Sequence, residues 1–394
     1  MQLGPLAQVE LSAHTTLSHA TVSNIVSTLA AEGTVSVETG QRNGRQAKIV
    51  HLLRSTTSPV SLGLAVGRTD ITGVACETDG TQLVSVHFPR ALTSSYDADL
   101  DTLSNIVTEI RADPILASRS ILGVGVSLAT WVDFDRGCIP PDCDWYGFPA
   151  QSGWPGAPLR DDLAARVDLP VHVDSDGNAA TLSEVRWGAA RGHMNVVYVR
   201  IAEGVTGGLL LNDRLYRGER GLAGSLGHST ADPSGRICVC GSRGCLETYL
   251  HPNALLEPLR HLYSPNLTPT QVAELAAAGD DGCARIIVDA AKRLGIALAN
   301  VISVLVPQCI VIAGDLAPAG TILTEALDQS LRSFMPSMFR PGTIMTAQLT
   351  GSAAAGAAAL VFEDRPLVAD PAHRDVQGSS AGRYAPAYAV ALIE

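Results

Sequence analysis

The sequence predicts a small helix-turn-helix head with a β-hairpin wing, followed by a large α/β body, and three patterns carry that prediction. Residues 18–31 hold an apolar stripe, Val22, Ile25, Val26 and Leu29, at helical spacing. Val35 and Val37, a turn at Asn43-Gly44, then Ile49 and Leu52 read as a hairpin. From Val60 onward, apolar runs of strand length alternate with helical stretches, as in layered α/β folds.

In chain order, Gln8 to Ala13 reads as a short helix, His14 to Leu17 as a turn, and Ser18 to Ala31 as a second helix with Ser18 at its N-cap. Residues 1–54 form the head, 55–59 a Ser/Thr/Pro linker, 60–364 the body, and 365–394 a tail rich in Pro, Ala and Gly. Within the body, Leu62 to Ala65, Ile71 to Glu77, Ile121 to Ser127 and Val196 to Ile201 are expected strands. Asn178 to Arg191, Asp289 to Val304 and Thr321 to Phe334 are expected helices. No tandem repeat stands out. Heads of this kind usually begin with one more helix, so the first helix is expected to be missing or truncated here.

Charge and composition narrow the function classes. The chain of 394 residues carries a formal net charge of -11 and is 46% hydrophobic, enough for a large core. The imbalance is uneven. Residues 1–54 hold four basic side chains against three acidic ones, and the remainder holds 24 against 36. An acidic body leaves nucleic-acid contact to the near-neutral head. Leu294 to Gly314 is free of charge, but Asn300, Ser303, Pro307 and Gln308 interrupt it, so it reads as a buried helix and strand rather than a membrane span. No signal-peptide pattern is seen at the start, and a cytoplasmic protein is expected.

Short polar side chains near the start of the second helix, Ser18, His19, Thr21 and Asn24, suit base edges and phosphates in a major groove. Arg42 and Arg45 at the wing tip suit phosphate or a minor groove. A helical hairpin that only packs against the body is the plainer alternative. His228 followed by Cys238, Cys240 and Cys245 supplies one imidazole and three thiolates, the donor set of a structural zinc. A disulfide or free buried thiols are the alternatives. Cys76, Cys138, Cys143, Cys283 and Cys309 have no partner pattern.

Head, linker and body together resemble the ROK family (repressors, open reading frames and kinases) over roughly residues 5–363. The resemblance rests on the cysteine segment, on Gly224-Ser-Leu-Gly-His228 and on Val173-Asp-Ser-Asp-Gly-Asn-Ala-Ala180. Gly204-Val-Thr-Gly-Gly208, Leu62 to Gly80, Ala291 to Pro307 and Ile310 to Ala319 add to it. It implies an actin-like (ribonuclease H-like) sugar-kinase fold, two α/β lobes around a cleft, and a homodimer or homotetramer. Members of the repressor branch carry a winged head and answer to sugars.

The same resemblance sets out what a kinase would need. Asp176 stands at the general-base position, although a carboxylate there could equally cap the helix near Asn178. The first phosphate loop, approximately D-x-G-G-T-K in the family, reads Ala65, Val66, Gly67, Arg68, Thr69, Asp70 here. The second, approximately G-T-G-x-G-G-G, reads Ala202, Glu203, Gly204, Val205, Thr206, Gly207, Gly208. The remnants Gly67, Thr69, Gly204, Gly207 and Gly208 survive, but Asp70 replaces the family's lysine and Glu203 would place a carboxylate where triphosphate oxygens should lie. Asp142, Ser175, Asp176, Ser225, His228 and Glu247 match sugar-contacting positions, with Ser225 replacing a glutamate. The expectation is a sugar-responsive DNA-binding regulator, a repressor binding double-stranded operator DNA, with structural zinc and no ATP/Mg chemistry. Two alternatives stand beside it: an ATP-dependent, glucokinase-like hexose kinase with a vestigial head, and a regulator whose cleft binds nothing.

Overall fold

The computed structural model describes residues 6–15, 17–31, 35–42, 45–52, 58–142, 152–335, 342–349 and 353–363. The chain divides into two compact units, one containing Met1–Ser58 and a larger one spanning Pro59–Arg365. Most of the expected linker, the Asn43-Gly44 turn, Cys143 and the tail lie outside the described residues.

The head runs β1 (Leu6–Ala7), α1 (Gln8–Thr15), α2 (His19–Ala31), β2 (Val35–Arg42) and β3 (Arg45–Leu52). β2 and β3 pair antiparallel from Val35 opposite Leu52 to Arg42 opposite Arg45, and β1 adds to the far edge of β3. Ser18 caps α2: its Oγ accepts the Thr21 N–H at 3.2 Å and bonds the Thr21 hydroxyl at 2.8 Å. Val22, Val26 and Val35 form a small core against Leu11, Leu29 and Val50. Ile25, read as part of the apolar stripe, is instead 45% exposed. It lies at the edge of the stripe, beyond the reach of this three-residue buried core.

The larger unit contains two sheets of identical order. The first lobe holds β4 (Val60–Val66), β5 (Asp70–Glu77), β6 (Gln82–Pro89), α3 (Tyr96–Ala112), β7 (Ile121–Leu128), α4 (Leu159–Val167) and β8 (Val171–Ser175), then α5 (Asp176–Arg186). The second holds β9 (Val196–Ile201), β10 (Val205–Leu211), β11 (Arg214–Leu215), α6 (Glu247–Leu250), α7 (Pro252–Leu256) and α8 (Pro269–Ala277). It continues through α9 (Asp281–Leu305), β12 (Cys309–Gly314), α10 (Thr321–Phe334) and β13 (Thr343–Thr346), and α11 (Ala353–Leu360) follows. The strand orders are β6-β5-β4-β7-β8 and β11-β10-β9-β12-β13. In each, three antiparallel strands are followed by two added in parallel. That doubling is the actin-like arrangement. It repeats topology rather than sequence, which is why no tandem repeat is visible in the residues.

Each lobe builds its own core. Leu62, Leu64, Val124 and Val126 pack against Leu103, Ile106 and Leu163 in the first. Val197, Val199, Ile310 and Ile312 pack against Ile287, Leu294 and Leu327 in the second. The charge-free stretch 294–314 is the end of α9 and all of β12, as expected. Among the described residues, no helix is long and apolar enough to cross a membrane. α9 starts eight residues before the expected Asp289 because the Asp280 carboxylate caps it, accepting Cys283 N–H at 2.8 Å. α5 ends at Arg186 rather than Arg191. There Glu184 turns its carboxylate onto Ala189 N–H at 2.7 Å, and Trp187 leaves the helix to donate its indole N–H to the Thr78 carbonyl.

The alanine-rich α11 returns from the second lobe and lies directly on the first sheet. A Cβ on Gly63 would overlap the Ala354 carbonyl oxygen, and one on Gly125 the Ala357 carbonyl oxygen. Helix and sheet approach so closely only because neither side carries bulk. We expect Gly63→Ala to destabilise the body by about 3 kcal/mol, since the clash is with backbone rather than a side chain that can move. Urea denaturation reads this, and an unchanged midpoint would contradict the seating of α11.

Candidate functional site: a reworked interlobe cleft

A cleft of ≈ 910 Å³ opens between the ends of β4, β7, β9 and β10 and the start of α5. Asp176 is the first residue of α5 and lines it. The cap of that helix is Ser175, whose Oγ accepts Asn178 N–H at 3.3 Å, so Asp176 does not serve as the cap. Asp176 instead accepts a hydrogen bond from Arg200 Nη1 at 2.7 Å. Burial pushes the Asp176 carboxyl above its ordinary value, and the Arg200 guanidinium opposes that shift. Arg200 sits within the buried strand β9, where a nearly continuous apolar run suggests core, and the sequence reading missed it.

The first phosphate-loop remnant is a tight turn in which Gly67 N–H donates to Asp70 O at 2.9 Å. Arg90, ion-paired with buried Asp99 at 2.8 Å, supports the turn through Gly67 O at 3.1 Å. Gly67, Arg68 and Asp70 line the cleft. Thr69 is not among the lining residues, and its carbonyl accepts Arg90 N–H at 2.8 Å. In the second loop Glu203, Gly204 and Gly207 line the cleft, while Gly208 packs beneath α5, where a Cβ would meet the Thr181 hydroxyl. A fourth carboxylate, Asp315 after β12, also lines the cleft and accepts from Thr270 Oγ1 at 3.2 Å. It too was missed, inside a segment matched by resemblance alone.

The expected sugar contacts separate into two groups. Ser175, Asp176, Ser225 and His228 line the cleft. Glu247 does not: it is buried, and Oε2 accepts Val205 N–H at 2.7 Å, holding the glycine-rich loop from below. Asp142 is also off the cleft wall. Its exposed carboxylate pairs with Arg220, which holds it below the usual carboxylate range. In the head, His19, Thr21 and Asn24 are exposed, whereas Ser18 is engaged in capping. Arg42 and Arg45 face each other in register at the end of the hairpin, and their side chains lie outside the described residues.

His228, Cys238, Cys240 and Cys245 converge with ligand atoms all within 4.8 Å of one another. Cys238 Sγ lies 3.7 Å from His228 Nδ1, and Cys240 Sγ lies 3.6 Å from Cys245 Sγ. Those edges are close to the ~3.6 Å between thiolate and imidazole and the ~3.8 Å between two thiolates that zinc-ligand bond lengths give in a tetrahedron. Burial lowers the His228 pKa, favouring the neutral imidazole that ligation requires. Cys76, Cys138, Cys283 and Cys309 are separate buried free thiols.

Beneath the cleft, Asp174 is fully buried and receives Arg217 Nε at 2.7 Å, Asn178 Nδ2 at 2.7 Å and Ser175 N–H at 2.7 Å. Arg217 continues to Glu363 at 2.8 and 2.5 Å and stacks on Phe134 at 3.7 Å.

Two like-ordered lobes around a cleft with a carboxylate at a helix start define a body of the sugar-kinase, actin-like class. The sequence model of the ROK family matches residues 61–364, and the chain belongs to that family. It is 28% identical over 335 residues to the xylose repressor of Bacillus subtilis (strain 168), covering 84% of this chain and 83% of that protein. It is equally 28% identical over 334 residues to a glucokinase of Streptomyces coelicolor, covering 78% and 99%. The ROK hexokinase from Thermus thermophilus superposes with a TM-score of 0.63 at 29% identity, over 77% of this chain and 98% of that one. A ROK family transcriptional regulator, a homolog of the E. coli MLC protein, shares the fold with a TM-score of 0.70 at 23% identity, over 91% and 92%.

Burial pushes the Asp174 carboxyl upward, and Arg217 opposes it. Arg217→Met strands the acid, so we expect a loss of about 3–5 kcal/mol at neutral pH. A stranded carboxyl with a raised folded-state pKa binds its proton more tightly than in the unfolded chain. The deficit should therefore shrink as pH falls through that folded pKa toward the unfolded value. Denaturation of both proteins across pH 4 to 8 checks this, and a pH-independent deficit would contradict it.

Proposed function

We propose that the chain is a sugar-responsive, DNA-binding transcriptional regulator of the repressor type, without hexose kinase activity. The observation that carries this reading is the lining of the cleft. Asp70 and Glu203 stand in the two segments that match the family's phosphate loops, Asp315 lines the same cleft, and among the described residues no lysine lines it. Like charges at a few ångströms in a partly desolvated cleft cost on the order of a few kcal/mol. The would-be base Asp176 also already accepts a hydrogen bond from Arg200, which engages one of its carboxylate oxygens. Fold and relatives are shared by kinases and repressors, so the reading rests on the residues of the site.

In this reading the head is a winged helix-turn-helix domain. His19, Thr21 and Asn24 on α2 enter a major groove, and Arg42 and Arg45 on the wing contact phosphate or a minor groove. The working form is a cytoplasmic homodimer or homotetramer. A sugar or sugar derivative bound between the lobes shifts their closure and thereby operator affinity. His228, Cys238, Cys240 and Cys245 hold a structural zinc. The ion would fold the segment between them and, through His228, orient one wall of the cleft.

Binding of the purified protein to the DNA upstream of its own gene, followed by fluorescence anisotropy at fixed salt with a panel of sugars, tests the reading. Specific binding that one sugar relieves or strengthens is the expected result. No specific binding, or binding indifferent to every sugar tested, contradicts it. Cys240→Ser should lose both the metal, read by elemental analysis, and the sugar response. Normal sugar binding in the metal-free variant would break the link between zinc and pocket.

A further inference from the structure

The cleft wall beside His228 carries an aromatic ring and an unpaired hydroxyl that no expected contact used. Trp131, three residues beyond the end of β7, is half-buried and lines the cleft. Its indole N–H donates to Ser225 Oγ at 2.8 Å, and that hydroxyl donates to the Leu222 carbonyl oxygen at 2.6 Å. A serine has one hydroxyl proton, and this one is engaged inside the protein. Ser225, expected as a sugar contact, therefore acts first on the indole and fixes its orientation. The ring lies 6.0 Å from the His228 imidazole, inclined at 56°. Next to it, Thr130 is only 8% exposed, also lines the cleft, and its Oγ1 has no hydrogen-bond partner. Buried hydroxyls in folded proteins are almost always paired, so an unpaired one on a cleft wall points to a partner supplied by a ligand.

We propose that Trp131 and Thr130 are specificity-determining residues that select a neutral sugar in its ring form. The indole packs against the apolar C–H face of a pyranose, and the Thr130 hydroxyl pairs with one of its hydroxyls. Ser225 is a positioning residue for the ring. A ring is favoured over an open chain because only the ring presents a continuous apolar face to an aromatic plane. A neutral ligand is favoured because Asp70, Asp176, Glu203 and Asp315 outnumber Arg68 and Arg200 along the cleft. Sugar phosphates and sugar acids meet that excess of carboxylate. The inference rests on the reading of the cleft as a sugar sensor's.

Calorimetric titration with D-xylose, D-glucose and their open-chain alditols, xylitol and D-glucitol, tests it. The alditols keep the hydroxyls and lose the ring. We expect the wild type to bind one aldose at least about tenfold more tightly than its alditol, and Trp131→Ala to abolish that preference. Trp131→Phe, which keeps an aromatic plane, should retain the preference, and Thr130→Val, nearly isosteric, should weaken the aldose about fivefold. Ser225→Ala should shift the tryptophan emission of the free protein and reduce the sugar-induced change in it. Trp131→Ala that binds the aldose within a factor of about two of wild type overturns the inference and leaves the sensor reading standing. Equal affinity of the wild type for aldose and alditol does the same. A wild type that binds none of the four overturns both.

Discussion

The body depends on one buried ionic knot, in which Arg217 joins Asp174 to Glu363. Asp174 is the penultimate residue of β8 at the edge of the first sheet, Arg217 follows the edge strand of the second, and Glu363 follows α11. Three segments far apart in the chain meet at one guanidinium, which also stacks on Phe134. A buried pair of this kind is not by itself a large source of stability, but losing one partner leaves a charge with nothing to answer it. The knot therefore fixes geometry. It sets the end of β8, from which α5 and Asp176 start, and α11 is seated on Gly63 and Gly125 beside it. The cleft between the lobes inherits its shape from that joint.

This separation of scaffold from lining explains why some family features persist while others have gone. A Cβ on Gly177 or Gly224 would overlap the Gly207 carbonyl, and Gly208 abuts Gly177 and Thr181. These glycines are required by close backbone packing of α5 and of the Gly224 loop on β10, whether or not phosphate ever binds. Glu247 likewise supports the loop through Val205 N–H. Positions facing the cleft carry no such constraint, and there Arg68, Asp70, Glu203 and Asp315 stand. Surviving glycines alone thus say little about ATP.

Much of this was legible in the residues, for identifiable reasons. Strand and helix alternation, the capping of α2 by Ser18 and the Cys-His cluster are set by local pattern or short spacing. The doubled sheet order is not, because topology leaves no local trace. Arg200 was hidden by its setting in an apolar strand, and Trp131 by the ordinary look of an aromatic after a buried strand. Resemblance set Glu247 and Asp142 among the sugar contacts, and the structure has Glu247 on Val205 N–H and Asp142 on Arg220, since a matching position does not reveal which way a side chain turns. The exposure of Ile25 reflects its place outside the small core of Val22, Val26 and Val35.

The central claim is that the cleft has changed from phosphoryl transfer to sensing, and it meets its most direct test in turnover. ADP release should be followed with Mg-ATP and a hexose at millimolar concentrations, comparing the wild type with Asp176→Ala. The account predicts that the two proteins are indistinguishable and that calorimetry detects no Mg-ATP binding to either. Hexose-dependent ADP release by the wild type well above the Asp176→Ala background would contradict it and return the chain to the kinases.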